Sequence, residues 1–261
     1  MSAETVIQTG TIPRIQHEEA MAITAEENRR LGALLVDIKP DQWSLPTDCT
    51  RWDVRAIVVH LIASAEAQAS AIEFVRQAVV GSRLTKEIGG IYPVDGLNEA
   101  GLRARRHLTP DELPELWSSV AAKALRARRR MPRPIRALPL LRLAPKYWKP
   151  LGYLYDIGFT RDVWMHRVDL SRAISRTFHA TATHDGRIVA DIIAEWATTH
   201  KDPFTLNLTG PAGRIYSRDP APAGDRIDMD AIDCASSPAA EPQSASFTTH
   251  SSFSADRGQQ P

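Results

Sequence analysis

The 261-residue chain is poor in the features that mark several large classes of protein. It has only two cysteines, Cys49 and Cys234, far apart and outside any C-x-x-C pair. That argues against a disulfide framework and suits a reducing cytoplasm. It has no excess of one charge: 32 Lys+Arg against 31 Asp+Glu leave a net +1, and the overall balance gives no case for a nucleic-acid partner. It has no long apolar run either. The most apolar stretch, AIVVHLIASA at 56–65, is far below the ~20 residues of a membrane-spanning helix. The opening MSAETVIQTGTIPRIQHEE lacks the basic start and apolar run of a secretory signal, and no internal repeat is visible. What remains is ordinary and sufficient: 43% hydrophobic and 24% charged residues, enough for a real core. The expectation is a cytoplasmic globular protein.

The pattern along the chain is helical for most of its length. Ile23, Leu31, Leu34, Leu35 and Ile38 predict a first helix over 15–39, stopped by Pro40. Thr50 followed by Asp53 is a capping signature, predicting a second helix from Arg51 to about Val80, closed by Gly81. A short helical piece follows near 96–107. Thr109, Pro110 and Glu112 mark the start of a third long helix that ends near Arg130. A proline-broken connector leads to a fourth over 151–175. Four long helices with one apolar stripe each predict an antiparallel bundle. Beyond residue 183 the texture changes to one helix, HDGRIVADIIAEWATTH, and short strands FTLNLTG, RIYSRD and DRIDMDAI around turns. From Ala235 the chain is rich in Ser, Ala, Pro and Gln and cannot repay its ordering entropy.

Polar residues on the core stripes carry the functional signal. In GFTRDVWMHRVDL (158–170), Phe159, Val163 and Leu170 form the apolar stripe, with Asp162 and His166 on or beside it. The two are one helical turn apart on one face. A buried acid and imidazole need partners. They can satisfy each other, or both can point at one cation, since carboxylate and His are standard ligands for zinc and its neighbours. A third ligand must then come from elsewhere. His60, set among Ile57, Val58 and Leu61, is the only other histidine in a clearly apolar helical run; the remaining six read as surface residues. Residue type and spacing leave both readings open.

CTRWDVRAIVVHL, followed about a hundred residues later by RDVWMHRVDLSRA and then by LNLTGPAG, resembles the mycothiol-dependent maleylpyruvate isomerase family over residues 15–233. The resemblance implies a DinB-like four-helix bundle at the N-terminus, and with the later texture the expectation is a mainly α fold with a small α+β C-terminal domain and a disordered tail. With the composition along the chain, this gives domains at 15–180 and 181–234, a flexible leader at 1–14 and the tail at 235–261. It also implies a divalent metal, usually zinc, held by His60, Asp162 and His166; the ligand set itself also suits iron, with nickel a further alternative. Two His and one carboxylate leave a coordination position open, the mark of a catalytic zinc. In the family that position takes the thiol of mycothiol, whose thiolate adds to a cis double bond and leaves after rotation. A thiol transfer to another electrophile would use the same activated sulfur. Where the family carries Glu, this chain has Asp162, shorter by one methylene, which draws the metal towards its helix. Family members also continue past the equivalent of DAID into a further helix, so the second domain reads as truncated. The competing expectation is a non-catalytic metal-binding helical bundle.

Asp169 and Glu66 are candidates to hold the imidazoles. Arg214 and Arg218, after the TGPAG turn, are candidates to bind a carboxylate of the thiol cofactor or substrate. Between Lys123 and Lys149 the chain has ten Lys or Arg and no acid. That run reads as a solvated face, or as a positive wall drawing an anionic substrate or thiol to the bundle mouth. The expected partners are a small-molecule substrate and a low-molecular-weight thiol, with neither nucleic acid nor membrane.

Overall fold

The computed structural model describes residues 5–139, 141–144, 147–200, 202–219 and 226–237. The elements run β1 (Val6–Gln8), α1 (His17–Val36), α2 (Val54–Ala69), α3 (Ala71–Glu87), α4 (Pro93–Ala104), α5 (Leu113–Arg130) and α6 (Arg133–Arg136). They continue with the hairpin β2 (Leu141–Ala144) and β3 (Tyr147–Lys149), then α7 (Leu151–Tyr153), a π-helical turn (Leu154–Gly158) and α8 (Phe159–Ala173). The second part holds α9 (Asp185–Thr199), β4 (Phe204–Thr209), β5 (Ile215–Arg218), β6 (Arg226–Asp230) and α10 (Ala231–Ser236).

The expected bundle is present. Its four rods are α1, α2, α5 and α8, with α1 and α2 each touching both of the others. Their apolar stripes meet in one core, in which Leu31, Ile57, Leu61, Leu113, Trp117, Val163 and Leu170 are buried. The opposite face of α8 is apolar too. Trp164, Met165 and Val168 pack on Ile188, Val189, Ile192 and Ile193 of α9 and on Phe204, Leu206 and Tyr216 of the sheet. One helix therefore serves two cores, which is why nearly every residue from Thr160 to Ser171 is buried. The sheet order is β1-β5-β4-β6, with β4 antiparallel to β5 and parallel to β6.

Several boundaries differ from the sequence expectation. The predicted helix over 51–80 is two helices, because Ser70 leaves the helical region and its Oγ accepts from the amide of Glu73 (3.3 Å), capping α3. Asp53, not Thr50, caps α2, accepting from Ala56 N at 2.7 Å. Gly81 lies inside α3, not at its end: a Cβ there would meet the backbone of Gly96 at 2.8 Å, so the missing side chain lets α3 and α4 touch. The helix over 151–175 is interrupted by the π turn, and the proline-broken connector contains α6 and the β2–β3 hairpin. Residues 6–8, expected in the leader, form an edge strand parallel to β5. Residues 231–236 form α10, so the first residues of the expected tail are helical; residues 238–261 lie outside the described set. The Thr109 start signal is as read, with Glu112 Oε2 accepting from both the amide and the hydroxyl of Thr109 at 2.7 Å. Among the described residues, no helix is long and apolar enough to cross a membrane.

Candidate metal centre

Helices α2 and α8 face each other, and the polar residues on their inner stripes meet. His60, Asp162 and His166 are all buried, and one ligand atom from each lies within 4.8 Å of the others. His60 Nε2 is 3.3 Å from Asp162 Oδ2, and His166 Nε2 is 3.6 Å from Asp162 Oδ1. The second contact exceeds hydrogen-bonding distance, and Oδ1 is a buried acceptor with no hydrogen bond among the described residues. The Trp52 ring lies 4.8 Å from the His60 ring and 5.9 Å from the His166 ring.

Behind His166, Asp169 Oδ2 is 3.1 Å from Nδ1. This fixes the ring and leaves Nε2 facing Asp162. Asp169 thus stands where the sequence placed a supporting group. Glu66 does not: it is ion-paired with Arg105, which also reaches Glu73 at 2.7 Å and so ties α2 to α3 and α4. Cys49 lies near the cluster. Burial, with the carboxylates of Asp169 and Asp162, pushes its thiol up to about 12.

Charge balance separates this cluster from a second one with the same ligand types. Glu27, His184 and Asp185 are also buried and mutually within 4.8 Å. There, however, the Arg167 guanidinium donates to Glu27 (2.5 and 3.1 Å) and to Asp185 (2.8 Å), and Arg30 donates to Asp185 (2.9 Å). His184 Nε2 is 2.7 Å from Glu27. Each carboxylate already has its cation, and the cluster is a structural network. Around Asp162 and Asp169, no arginine or lysine of the described residues is ion-paired to either acid. Burial works to raise the Asp162 carboxyl, yet His60 and His166 hold it below its ordinary value. Two buried acids with only imidazoles beside them are short of positive charge, and a divalent cation supplies it. The donor set fits such an ion.

The other candidates lie apart. Arg218 donates through Nη1 to the carbonyls of Ala197 and His200 at the end of α9, and Arg214 donates to the Gly213 carbonyl at 2.7 Å. Arg218 also lines a cavity of about 1130 Å³ between α6–α8, α9 and residues 8–15, a cavity that none of the three cluster residues lines. His184, read as a surface residue, is buried. Its sequence position just before a helix hid it, because its partner Glu27 lies on α1, far away in the chain.

The fold and the cluster together define a class: a four-helix bundle carrying a buried His–Asp–His group between two rods and continued by a small α+β unit. The family model for the mycothiol maleylpyruvate isomerase N-terminal domain matches residues 24–171. That is more than half of the chain, and the chain belongs to this family. Among solved structures, the chain is similar to a mycothiol-dependent maleylpyruvate isomerase, with 18% identity and a TM-score of 0.56 over 88% of this chain and 90% of that one. A histidine-to-alanine mutant of a mycothiol-dependent maleylpyruvate isomerase matches at 17% identity and a TM-score of 0.55, with the same coverage. Likeness at this identity speaks for the fold. No curated protein matches the chain.

Proposed function

We propose that the chain is a metal-dependent enzyme that uses mycothiol as its thiol, acting as a cis–trans isomerase on a maleylpyruvate-like substrate or as a thiol transferase. The observation that carries this reading is the unbalanced cluster: His60, Asp162 and His166 converge in the bundle interior with a buried acceptor oxygen left over, and no lysine or arginine of the described residues is ion-paired to Asp162. Zinc is the ion best suited to two imidazoles and a carboxylate, with iron and nickel as alternatives. A bound divalent ion lowers the pKa of a coordinated thiol, making a thiolate available near neutral pH.

The chain's own residues do the rest. His60 and His166 supply neutral nitrogen donors from two different helices, and Asp162 supplies the anionic one. Asp169 holds His166 by Nδ1, so its Nε2 faces Asp162. Trp52 lies against both imidazoles and packs them from one side.

Metal analysis of the purified protein tests the reading, with His60→Ala as control. We expect close to one divalent ion per chain in the intact protein and at least a tenfold lower content in the variant. Mycothiol-dependent conversion of maleylpyruvate to fumarylpyruvate should follow the metal. Absence of metal, or a content unchanged in His60→Ala, would overturn the assignment.

A further inference from the structure

The basic run between Lys123 and Lys149 divides on folding. Arg128 turns into the bundle, 2% exposed, and its Nη2 donates to the hydroxyls of Thr24 (3.0 Å) and Thr160 (2.8 Å). Arg133 and Arg136 on α6, with Lys149 at the end of β3, instead line the cavity of about 1130 Å³ beside α8 and α9. Organic ligands bind in clefts of roughly 300–1,000 Å³, so the space is ample for one. The π-helical turn contributes Asp156 and Ile157 to its wall, and turns of this kind occur frequently at functional sites. Gly152 lines it as well. A Cβ there would stand 3.1 Å from the Cβ and the carbonyl oxygen of Arg136, so its absence lets α6 close on α7 and bring its arginines to the wall.

Six cations and four acids line this cavity. Three of the acids are already matched by three of the cations. Asp156 is paired with Arg136 (3.2 Å) and His17 (2.8 Å), and Asp191 with Arg161 (2.6 Å). Glu195 accepts from Lys149 (2.9 Å), Arg161 (2.7 Å) and the Tyr153 hydroxyl (2.8 Å). What remains is Arg14, Arg133 and Arg218 against the single acid Asp219. Among the described residues, none of these three arginines is ion-paired to a carboxylate. Arg218 donates to the carbonyls of Ala197 and His200, which are neutral partners. Arg14 and Arg133 are exposed, and their guanidinium groups make no hydrogen bond among the described residues. The three come from separate parts of the chain, one before α1, one on α6 and one on β5, yet they converge on one space. Two uncancelled positive charges around a concave surface concentrate anions there.

We propose that this cavity is a second ligand site, separate from the metal centre, that binds a small organic dianion through Arg14, Arg133 and Arg218. A guanidinium fork meets the paired oxygens of a carboxylate or a phosphate equally well, so the dianion is a dicarboxylate or a phosphate monoester. Two negative charges cancel the surplus. Ile12, Ile157 and Ala194 also line the space and suit a carbon body between or beside the anionic groups. None of His60, Asp162 and His166 lines it, so the site does not depend on the reaction proposed for the cluster.

Calorimetric titration of the full chain with succinate and with glycerol 3-phosphate, at constant ionic strength, tests this. At least one probe should bind with a dissociation constant below about 1 mM, and which of them binds more tightly tells carboxylate from phosphate. At ten times that constant the melting temperature should rise by about 3 °C. The double variant Arg14→Gln/Arg133→Gln changes only exposed side chains, so without a probe it should melt like the intact protein; its affinity should fall at least fivefold. Arg133→Lys, which keeps the charge and loses the fork, should fall between the two. Arg129→Gln, an exposed arginine of the same run outside the cavity, should bind as the intact protein does, and so should His60→Ala and chelator-treated protein. The inference is overturned if both probes bind more weakly than about 1 mM, or if the double variant loses less than fivefold. It is equally overturned if Arg129→Gln weakens binding as much, which would mean general attraction to a basic surface. Loss of binding in His60→Ala or after metal removal would put the anion at the metal centre and overturn it too.

Discussion

At the scale of single residues, the difference between the two buried clusters lies in what stands behind each ligand. Glu27 and Asp185 are backed by guanidinium groups; His166 is backed by a carboxylate, Asp169, at 3.1 Å. An acid behind an imidazole makes the opposite nitrogen a better electron donor and fixes which nitrogen is free. Asp169→Asn keeps the shape and removes the charge. It should weaken metal binding by about 10- to 100-fold, the usual effect of losing such a partner, with little change in melting temperature. Competition against a chelator of known affinity measures this, and an unchanged affinity would remove Asp169 from the supporting role. Substitutions in the second cluster, such as Glu27→Gln, should leave metal content where it was and lower stability instead.

At the scale of helices and strands, close contact between α3 and α4 depends on glycine. A Cβ at Gly96 would collide with the Gly81 carbonyl and the Thr85 hydroxyl and come within 2.7 Å of Thr85 N. Most of these atoms are backbone and cannot step aside. Gly96→Ala should therefore destabilise by about 1–3 kcal/mol through overpacking, read as a fall of several degrees in a thermal melt, while Gly10→Ala, where nothing lies within 4 Å, should change little. The same pair shows what the sequence could and could not tell. Glycine ends helices and also lets them touch; only the partner, Gly96, distinguishes the two, and a single glycine at 81 reads as an end. Signals that are complete within a few residues were legible: Pro40, the Thr109–Glu112 box, and the three-four spacing of α5 and α8. The break at Ser70 was legible as well, since Ser70-x-x-Glu73 is a capping pattern, but the apolar periodicity running through it masked it. The candidate ligands were legible because a histidine or an acid on an apolar stripe is conspicuous. His184 and Arg128 were not, one lying at a helix start and the other within a run of surface cations. Strand β1 depends on a partner about two hundred residues away and has no local signature.

At the scale of the whole molecule, α8 joins the two cores, and an ion-paired layer runs along its junction with α1 and α9. Arg167 ties Glu27 of α1 to Asp185 of α9, and Arg161 ties α8 to Asp191 (2.6 Å) and Glu195 (2.7 Å), with Lys149 and the Tyr153 hydroxyl also on Glu195. Burial works to raise the carboxyls of Asp185 and Glu195, but Arg167 and the Thr181 amide for one, and Arg161 and Lys149 for the other, hold both below their ordinary values of 3.8 and 4.5. A group whose pKa is lower folded than unfolded adds stability that is complete above the unfolded value and is lost as pH falls through the folded one. The melting temperature should therefore be flat from neutral pH down to about pH 5 and decline below about pH 4. Arg167→Met leaves Glu27 and Asp185 buried with too little positive charge. Breaking one side of a buried pair costs about 3–5 kcal/mol, on the order of a 10 °C fall in melting temperature at pH 7 for a chain of this size. Without Arg167, burial raises the Asp185 carboxyl, and its protonation relieves the stranded charge, so the gap between the intact protein and the variant should narrow steadily as pH falls from 7 towards 3. Thermal melts of both proteins between pH 3 and 7 check the sign. A gap that stays constant over that range would mean that Arg167 holds the two halves together by packing against Phe178, over whose ring its guanidinium lies at 4.2 Å, and not by charge.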